Sequence, residues 1–178
     1  MKSKRIRLGA HLLALAVALV SADRLTADTL HVPSQYGTIQ AAIDAAVSGD
    51  IVEIADGTYT GVGNRDLDLL GKAITVRSAS GDPDSCIIDC EYEGRGFSIV
   101  NGPDPGSSLE GLTISRGFAA EGGGIYCANA SPTITCCTIR DCAAIQGGGL
   151  YCVGSGAALI SKCTFGNNRA FEGGGVGA

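Results

Sequence analysis

Gly122-Gly123-Gly124-Ile125-Tyr126-Cys127 returns as Gly147-Gly148-Gly149-Leu150-Tyr151-Cys152 and, in part, as Gly173-Gly174-Gly175-Val176. The steps are 25 and 26 residues. A second motif keeps the same register: Leu109-x-x-Leu112-Thr113-Ile114 becomes Ile134-x-x-Cys137-Thr138-Ile139 and then Ile160-x-x-Cys163-Thr164-Phe165. Two independent motifs on one period mark a stacked repeat, in which each unit buries its apolar face against its neighbours. A glycine-rich flexible linker would not hold apolar positions in register.

Each unit is built from short Ile, Thr, Val, Leu and Cys runs separated by Gly, Asn, Ser, Asp and Pro. No 3.6-residue periodicity runs through the repeats. Short β-branched runs bounded by turn formers read as strands. Three strands and three turns fit within 25 residues, so one unit makes one coil of a parallel β-helix. Equivalent residues then stack at the interstrand distance of about 4.8 Å. The expected fold is therefore all-β, a solenoid in which Ile125 lies over Leu150 and Ile114 over Ile139.

Upstream of the repeats the pattern changes. Leu30-His31-Val32 reads as a strand ended by Pro33. Thr38 is placed to cap a short helix carrying Ile39, Ala42, Ile43 and Ala46 on one face, with Gln40 and Asp44 outward and Ser48-Gly49 as its stop. Such a helix covers the first coil, whose core and strand edges would otherwise face water. Further strands are expected at Ile51–Ile54, Thr58–Thr60, Ala73–Val76, Cys86–Asp89 and Gly96–Ile99. Loops are expected over 61–72, 78–85 and 101–107, with turns at Asp82-Pro83-Asp84 and Pro103-Asp104-Pro105.

The run Tyr36-Gly37-Thr38-Ile39-Gln40-Ala41-Ala42-Ile43-Asp44-Ala45-Ala46, with Gly49-Asp50-Ile51-Val52 and Asp56-Gly57-Thr58-Tyr59, resembles the N-terminal cap of right-handed parallel β-helix proteins of the pectate-lyase-like superfamily. The later units resemble repeats of polymorphic outer membrane proteins: Phe165-x-x-Asn168 matches their FxxN element, and Gly123-Gly124-Ile125 is close to their GGAI element. The resemblance implies a right-handed coil, and it implies no single activity, because these folds carry diverse functions.

The first 22 residues read as an export peptide: a basic start at Lys2, Lys4, Arg5 and Arg7, an apolar stretch from Leu12 to Val20, then Val20-Ser21-Ala22 for cleavage. The expected organisation is residues 1–22 as signal peptide, 23–49 as lead-in strand and capping helix, and 50–178 as coils of a chain that is cut within a unit. Cleavage leaves nine basic against eighteen acidic residues, a net charge near −9. That charge argues against nucleic acid and anionic membrane as partners. The expected partner is an extracellular polysaccharide or a cell-surface partner. Nothing in the mature chain is apolar over the length needed for a transmembrane helix.

Eight cysteines lie at 86, 90, 127, 136, 137, 142, 152 and 163, an even count in an exported chain. The register aligns Cys127 with Cys152 and Cys137 with Cys163, so each pair stacks in adjacent coils, whether as disulfides or as a hydrophobic thiol ladder. There is no CxxC, and the single mature histidine, His31, is isolated.

For chemistry, the chain lacks the Asn-Thr-Asp, Gly-His-Gly and Arg-Ile-Lys elements by which pectin hydrolases on this fold resemble one another, and the Gln-Asp-Thr-Leu element of pectin methylesterases. No catalytic residue is assigned. Asp82, Asp84 and Asp89, with Arg77 or Arg95 as base, form the one acidic group similar to a lyase calcium site, although Asp beside proline is common in turns for conformational reasons. Tyr126 and Tyr151, stacked at one rung position, are the candidate ligand-binding pair for a sugar chain. The expected function is a secreted or cell-surface β-helix domain with a structural, adhesive or glycan-binding role. The alternative is the N-terminal part of a polysaccharide lyase or hydrolase.

Overall fold

The structure, a computed structural model, describes residues 26–100 and 106–177. The expected export peptide at 1–22 and the Pro103-Asp104-Pro105 turn lie outside the described residues.

A leading strand β1 (Thr29–Val32) and a helix α1 (Ile39–Ala45) precede five coils of three strands each. The first coil comprises β2 (Ile51–Ile54), β3 (Gly57–Tyr59) and β4 (Leu67–Asp68). The second comprises β5 (Thr75–Ser78), β6 (Cys86–Asp89) and β7 (Phe97–Val100), and the third β8 (Ser108–Glu110), β9 (Thr113–Ser115) and β10 (Ile125–Ala128). The fourth is β11 (Thr133–Thr135), β12 (Thr138–Arg140) and β13 (Leu150–Val153), and the fifth β14 (Leu159–Ser161), β15 (Thr164–Gly166) and β16 (Val176–Gly177). Every third strand joins the same sheet, giving orders β1-β2-β5-β8-β11-β14, β3-β6-β9-β12-β15 and β4-β7-β10-β13-β16. All pairings are parallel. The solenoid expected from the 25- and 26-residue steps is thus the observed fold.

Register follows the repeat. Ile125 pairs with Leu150, and Ile114 with Ile139, all four fully buried. Alternation does the rest: in β5 and β6 every second side chain is buried, and these inward columns of Val, Ile, Leu, Phe97 and Cys make one continuous core along the axis.

The corners are made by residues in the left-handed region. Gly111, Cys136 and Lys162 (φ 64°, 53° and 53°) form one such column, Arg116, Asp141 and Asn167 (54°, 56° and 54°) a second, and Gly122, Gly147 and Gly173 (56°, 57° and 59°) a third. Only the third is all glycine, and there a Cβ would strike the backbone of the following strand.

The helix closes the stack by specific bonds. Thr38 caps it, its hydroxyl accepting from Ala41 N at 3.3 Å. Ile39, Ala42 and Ile43 face the core. Gln40, expected to face outward, instead clasps the free edge of β4: its amide oxygen accepts from Asp68 N at 2.9 Å and its amide nitrogen donates to Asp68 O at 3.1 Å. Lys72 Nζ donates to the carbonyls of Ile43 and Asp44, satisfying the end of the helix with a cation.

Three expectations need correction. The helix stops at Ala45, with Ala46 already extended, and Gly49 (φ 99°) serves the turn in which buried Asp50 accepts from Val47 N. The segment 61–72 is not loop throughout: β4 lies within it and places Leu67 and Leu69 in the core. Strand bounds elsewhere shift by one or two residues, as with Thr75–Ser78 for the expected 73–76.

Candidate functional site

Tyr126 and Tyr151 occupy one rung position on β10 and β13, with ring centroids 6.2 Å apart and planes inclined by 15°. Arg95, from the preceding coil, places its guanidinium 4.8 Å from the Tyr126 ring centre. The same guanidinium donates to the carbonyls of Glu121 at 2.7 Å and Gly122 at 2.9 Å, which locks it in place. Tyr126 is therefore sandwiched between a cation below and a ring above. Tyr151 in turn lies against Gly177, where an added Cβ would come within 3.1 Å of the ring. Register brings the two tyrosines together, with both faces of Tyr126 in contact and the outer face of Tyr151 toward Gly177, which has no side chain.

The three aspartates are not assembled into a metal cage. Asp82 closes its own turn, accepting from Asp84 N at 3.1 Å and Ser85 Oγ at 2.8 Å. Asp89, at the far end of β6, accepts from Arg116 Nε at 2.7 Å, is paired with Arg116 Nη2, and accepts from Glu91 N. Partial burial raises the Asp89 carboxyl, but Arg116 and the Glu91 amide outweigh that and hold it below the usual range. Among the described residues no group of three His, Cys, Asp or Glu is placed to hold a metal ion. Arg77, one suggested base, is engaged by Glu53 at 2.7 Å. The strand β6 separates Asp82 and Asp84 from Asp89, which is the physical reason that the trio does not converge.

A groove of about 650 Å³ opens instead at the second corner, lined by Tyr92, Asp141, Cys142, Ala143, Asn167, Asn168 and Arg169. Its geometry follows from the left-handed column. After β12 and β15, Asp141 and Asn167 reverse the chain, types that tolerate this conformation through local hydrogen bonding. The next residues, Cys142 and Asn168, point inward, and Asn168 stitches the two coils: Oδ1 accepts from Cys142 N at 3.0 Å and Nδ2 donates to Ile139 O at 2.9 Å. Arg169 then bridges to Ala143, which bridges to Phe118.

Among the described residues, the side chains of Tyr92, Asn167 and Arg169 make no hydrogen bond to the protein, leaving a phenol, an amide and a guanidinium for a ligand. Tyr92 itself is 49% exposed, an aromatic ring open to solvent in the groove. The sole carboxylate lining the groove, Asp141, is held by Arg140 Nη1 at 2.8 Å. Glycoside hydrolysis by paired carboxylates needs two. The groove can hold hydroxyl groups; it lacks that hydrolytic pair. Sequence reading missed these residues, yet the step of 25 and 26 aligns Arg116, Asp141 and Asn167, a polar column where the strands end.

A parallel solenoid with, among the described residues, one helix and a repeated corner defines a class. The chain belongs to the right-handed β-helix region family, which matches residues 47–178. Among solved structures, the chain is similar to pectin methylesterase from Aspergillus niger at 14% identity and a TM-score of 0.45, over 84% of this chain and 62% of that one. This chain thus spans less than two thirds of that structure's length. No curated protein matches.

Proposed function

We propose that the chain is an exported β-helix module that binds a neutral extracellular polysaccharide in the groove at the β12–β15 corner, serving an adhesive or structural role at the cell surface. The observation that carries this reading is the groove's set of unpartnered hydrogen-bonding side chains, Tyr92, Asn167 and Arg169, of which Tyr92 also offers an exposed aromatic ring. Asn and Arg meet sugar hydroxyls with fixed, multidentate hydrogen bonds, and aromatic surface accepts the apolar face of a pyranose. Because the corner recurs in the later coils, a polymer running along the axis meets a similar backbone turn at each of their rungs. A polyanion is disfavoured: the full chain carries a formal net charge of −5, and near −9 without its first 22 residues. Export is supported by the basic and apolar character of residues 2–20.

The test is affinity electrophoresis through gels containing xylan, galactomannan, β-glucan or polygalacturonate. Retardation by a neutral polymer, lost in Asn167→Ala with Arg169→Ala, is the expected result. No retardation by any of them, or retardation that survives both substitutions, overturns the proposal. Release of reducing ends or unsaturated products would point to the enzyme alternative.

A further inference from the structure

Of the eight cysteines, four pair by register and four do not. Cys127 on β10 is the partner of Cys152 on β13. Cys137 and Cys163 immediately precede the register pair Thr138 and Thr164, and Thr164 N donates to Cys137 O at 2.9 Å. The second pair even shares a side-chain pose: Cys137 Sγ lies 3.3 Å from Thr135 O, and Cys163 Sγ 3.3 Å from Ser161 O. In that pair each thiol is thus its neighbour's copy, translated by one rung. That translation of about 4.8 Å lies within the Cα separation of 4.4–6.8 Å at which disulfides form, and the Cβ atoms need close by only about 0.3 Å to reach the usual 3.5–4.5 Å.

The remaining thiols have no such neighbour. Cys86 precedes the pair Ile87 and Thr113, so Leu112 lies over it. Cys136 is followed a coil later by Lys162, both at the left-handed corner. Cys142 has Gly117 below, whose N–H donates to its sulfur, and Asn168 above. Cys90 and Cys142 are separated by the coil that holds Gly117.

We propose that Cys127–Cys152 and Cys137–Cys163 are two rung-to-rung disulfide sites, formed by exchange with a low-molecular-weight disulfide such as oxidised glutathione. The thiolate of one cysteine attacks the small disulfide, forms a mixed disulfide and releases one glutathione thiolate. The stacked partner loses its proton to solvent, attacks the protein sulfur of the mixed disulfide and expels the second thiolate. Per site two protein thiols are oxidised and one glutathione disulfide is reduced to two thiols. In the Cys137–Cys163 pair the proposed attacker is Cys163, which is partly exposed, whereas Cys137 is 1% exposed, so a small disulfide in solution reaches Cys163 first. The proposal is independent of the polysaccharide reading and concerns the coils alone.

The full chain is unfolded and reduced, then refolded in mixed reduced and oxidised glutathione. It is then denatured and alkylated with iodoacetamide, and the product is read by intact mass and non-reducing peptide mapping. The expected result is loss of four of the eight alkylatable thiols, with peptides joined as 127–152 and 137–163. Cys163→Val, which keeps the core filled, should free Cys137 alone and leave the other link, while Cys136→Ser should retain both links. Eight alkylated cysteines, links among Cys86, Cys90, Cys136 or Cys142, or persistent glutathione adducts would each overturn the proposal.

Discussion

Adding one methyl group at Gly124 should destabilise the coil by about 2–4 kcal/mol. Gly124 is not in the left-handed region, so alanine meets no φ penalty there, and the effect isolates close approach between rungs. An added Cβ would sit 2.4 Å from Gly149 O and 2.7 Å from Ile139 Cγ2. A carbon–oxygen contact settles near 3.3–3.6 Å, so the rungs must part locally by about 1 Å. Gly149 O accepts from Ile125 N at 2.9 Å, and Gly148 O from Gly124 N at 3.1 Å. Losing both bonds costs about 2 kcal/mol and the overpacked core about 1–3 more, offset by up to about 1 from reduced unfolded-state entropy. Gly175 supplies the control. Its nearest heavy atom is Phe165 Cβ at 3.8 Å, an ordinary contact, so Gly175→Ala should lie within about 0.5 kcal/mol of the parent. Urea unfolding followed by far-ultraviolet circular dichroism measures both. Equal midpoints for the two variants, at unchanged slope, would refute the close-approach reasoning.

Asn168→Ala removes both bonds from the Asn168 side chain to the fourth coil and should cost about 2–3 kcal/mol, with faster hydrogen exchange at the Cys142 amide as the local readout. Lys162→Gly relieves a lysine at φ 53° and should raise the melting temperature, by about 0.5–1 kcal/mol of net stabilisation once the greater freedom of unfolded glycine is subtracted. Acid should remove the Asp89 contribution: its folded pKa is depressed, so the stabilisation is full above the ordinary carboxylate value near 4 and disappears as pH falls through the folded value. In a titration of stability from pH 6 to 2, Asp89→Asn should flatten that acid limb, by no more than about 1 kcal/mol because Arg116 is exposed. An unchanged limb would place the acid dependence elsewhere.

What could be read from the chain tracks how each feature is encoded. Ile114 over Ile139 and Cys127 over Cys152 were legible because a solenoid turns sequence period into spatial contact. The cap was legible in Thr38 and the apolar face of its helix, but its real closure was not. Gln40 grips Asp68, a contact 28 residues apart with no periodic signal. Strand β4 was hidden for a related reason: Leu67–Asp68 is too short to show alternation, and pairing with β7 alone makes it a strand. For the site, the tyrosine column was correctly placed, but exposure of its faces depends on Arg95, which reaches it through the carbonyls of Glu121 and Gly122.

By itself the sequence determined the repeat, the parallel coil, the inward columns and the stacked cysteines, because each is set by spacing that one rung hands to the next. Tertiary structure alone decided which side chains share the corner groove. Tyr92 and Asn167 come from the second and fifth coils, and the second coil turns its corner with two left-handed residues, Glu91 and Tyr92, where later coils use one. That extra residue breaks the period, so no register rule could carry Tyr92 to the groove: its position is fixed by how an irregular turn packs against regular ones.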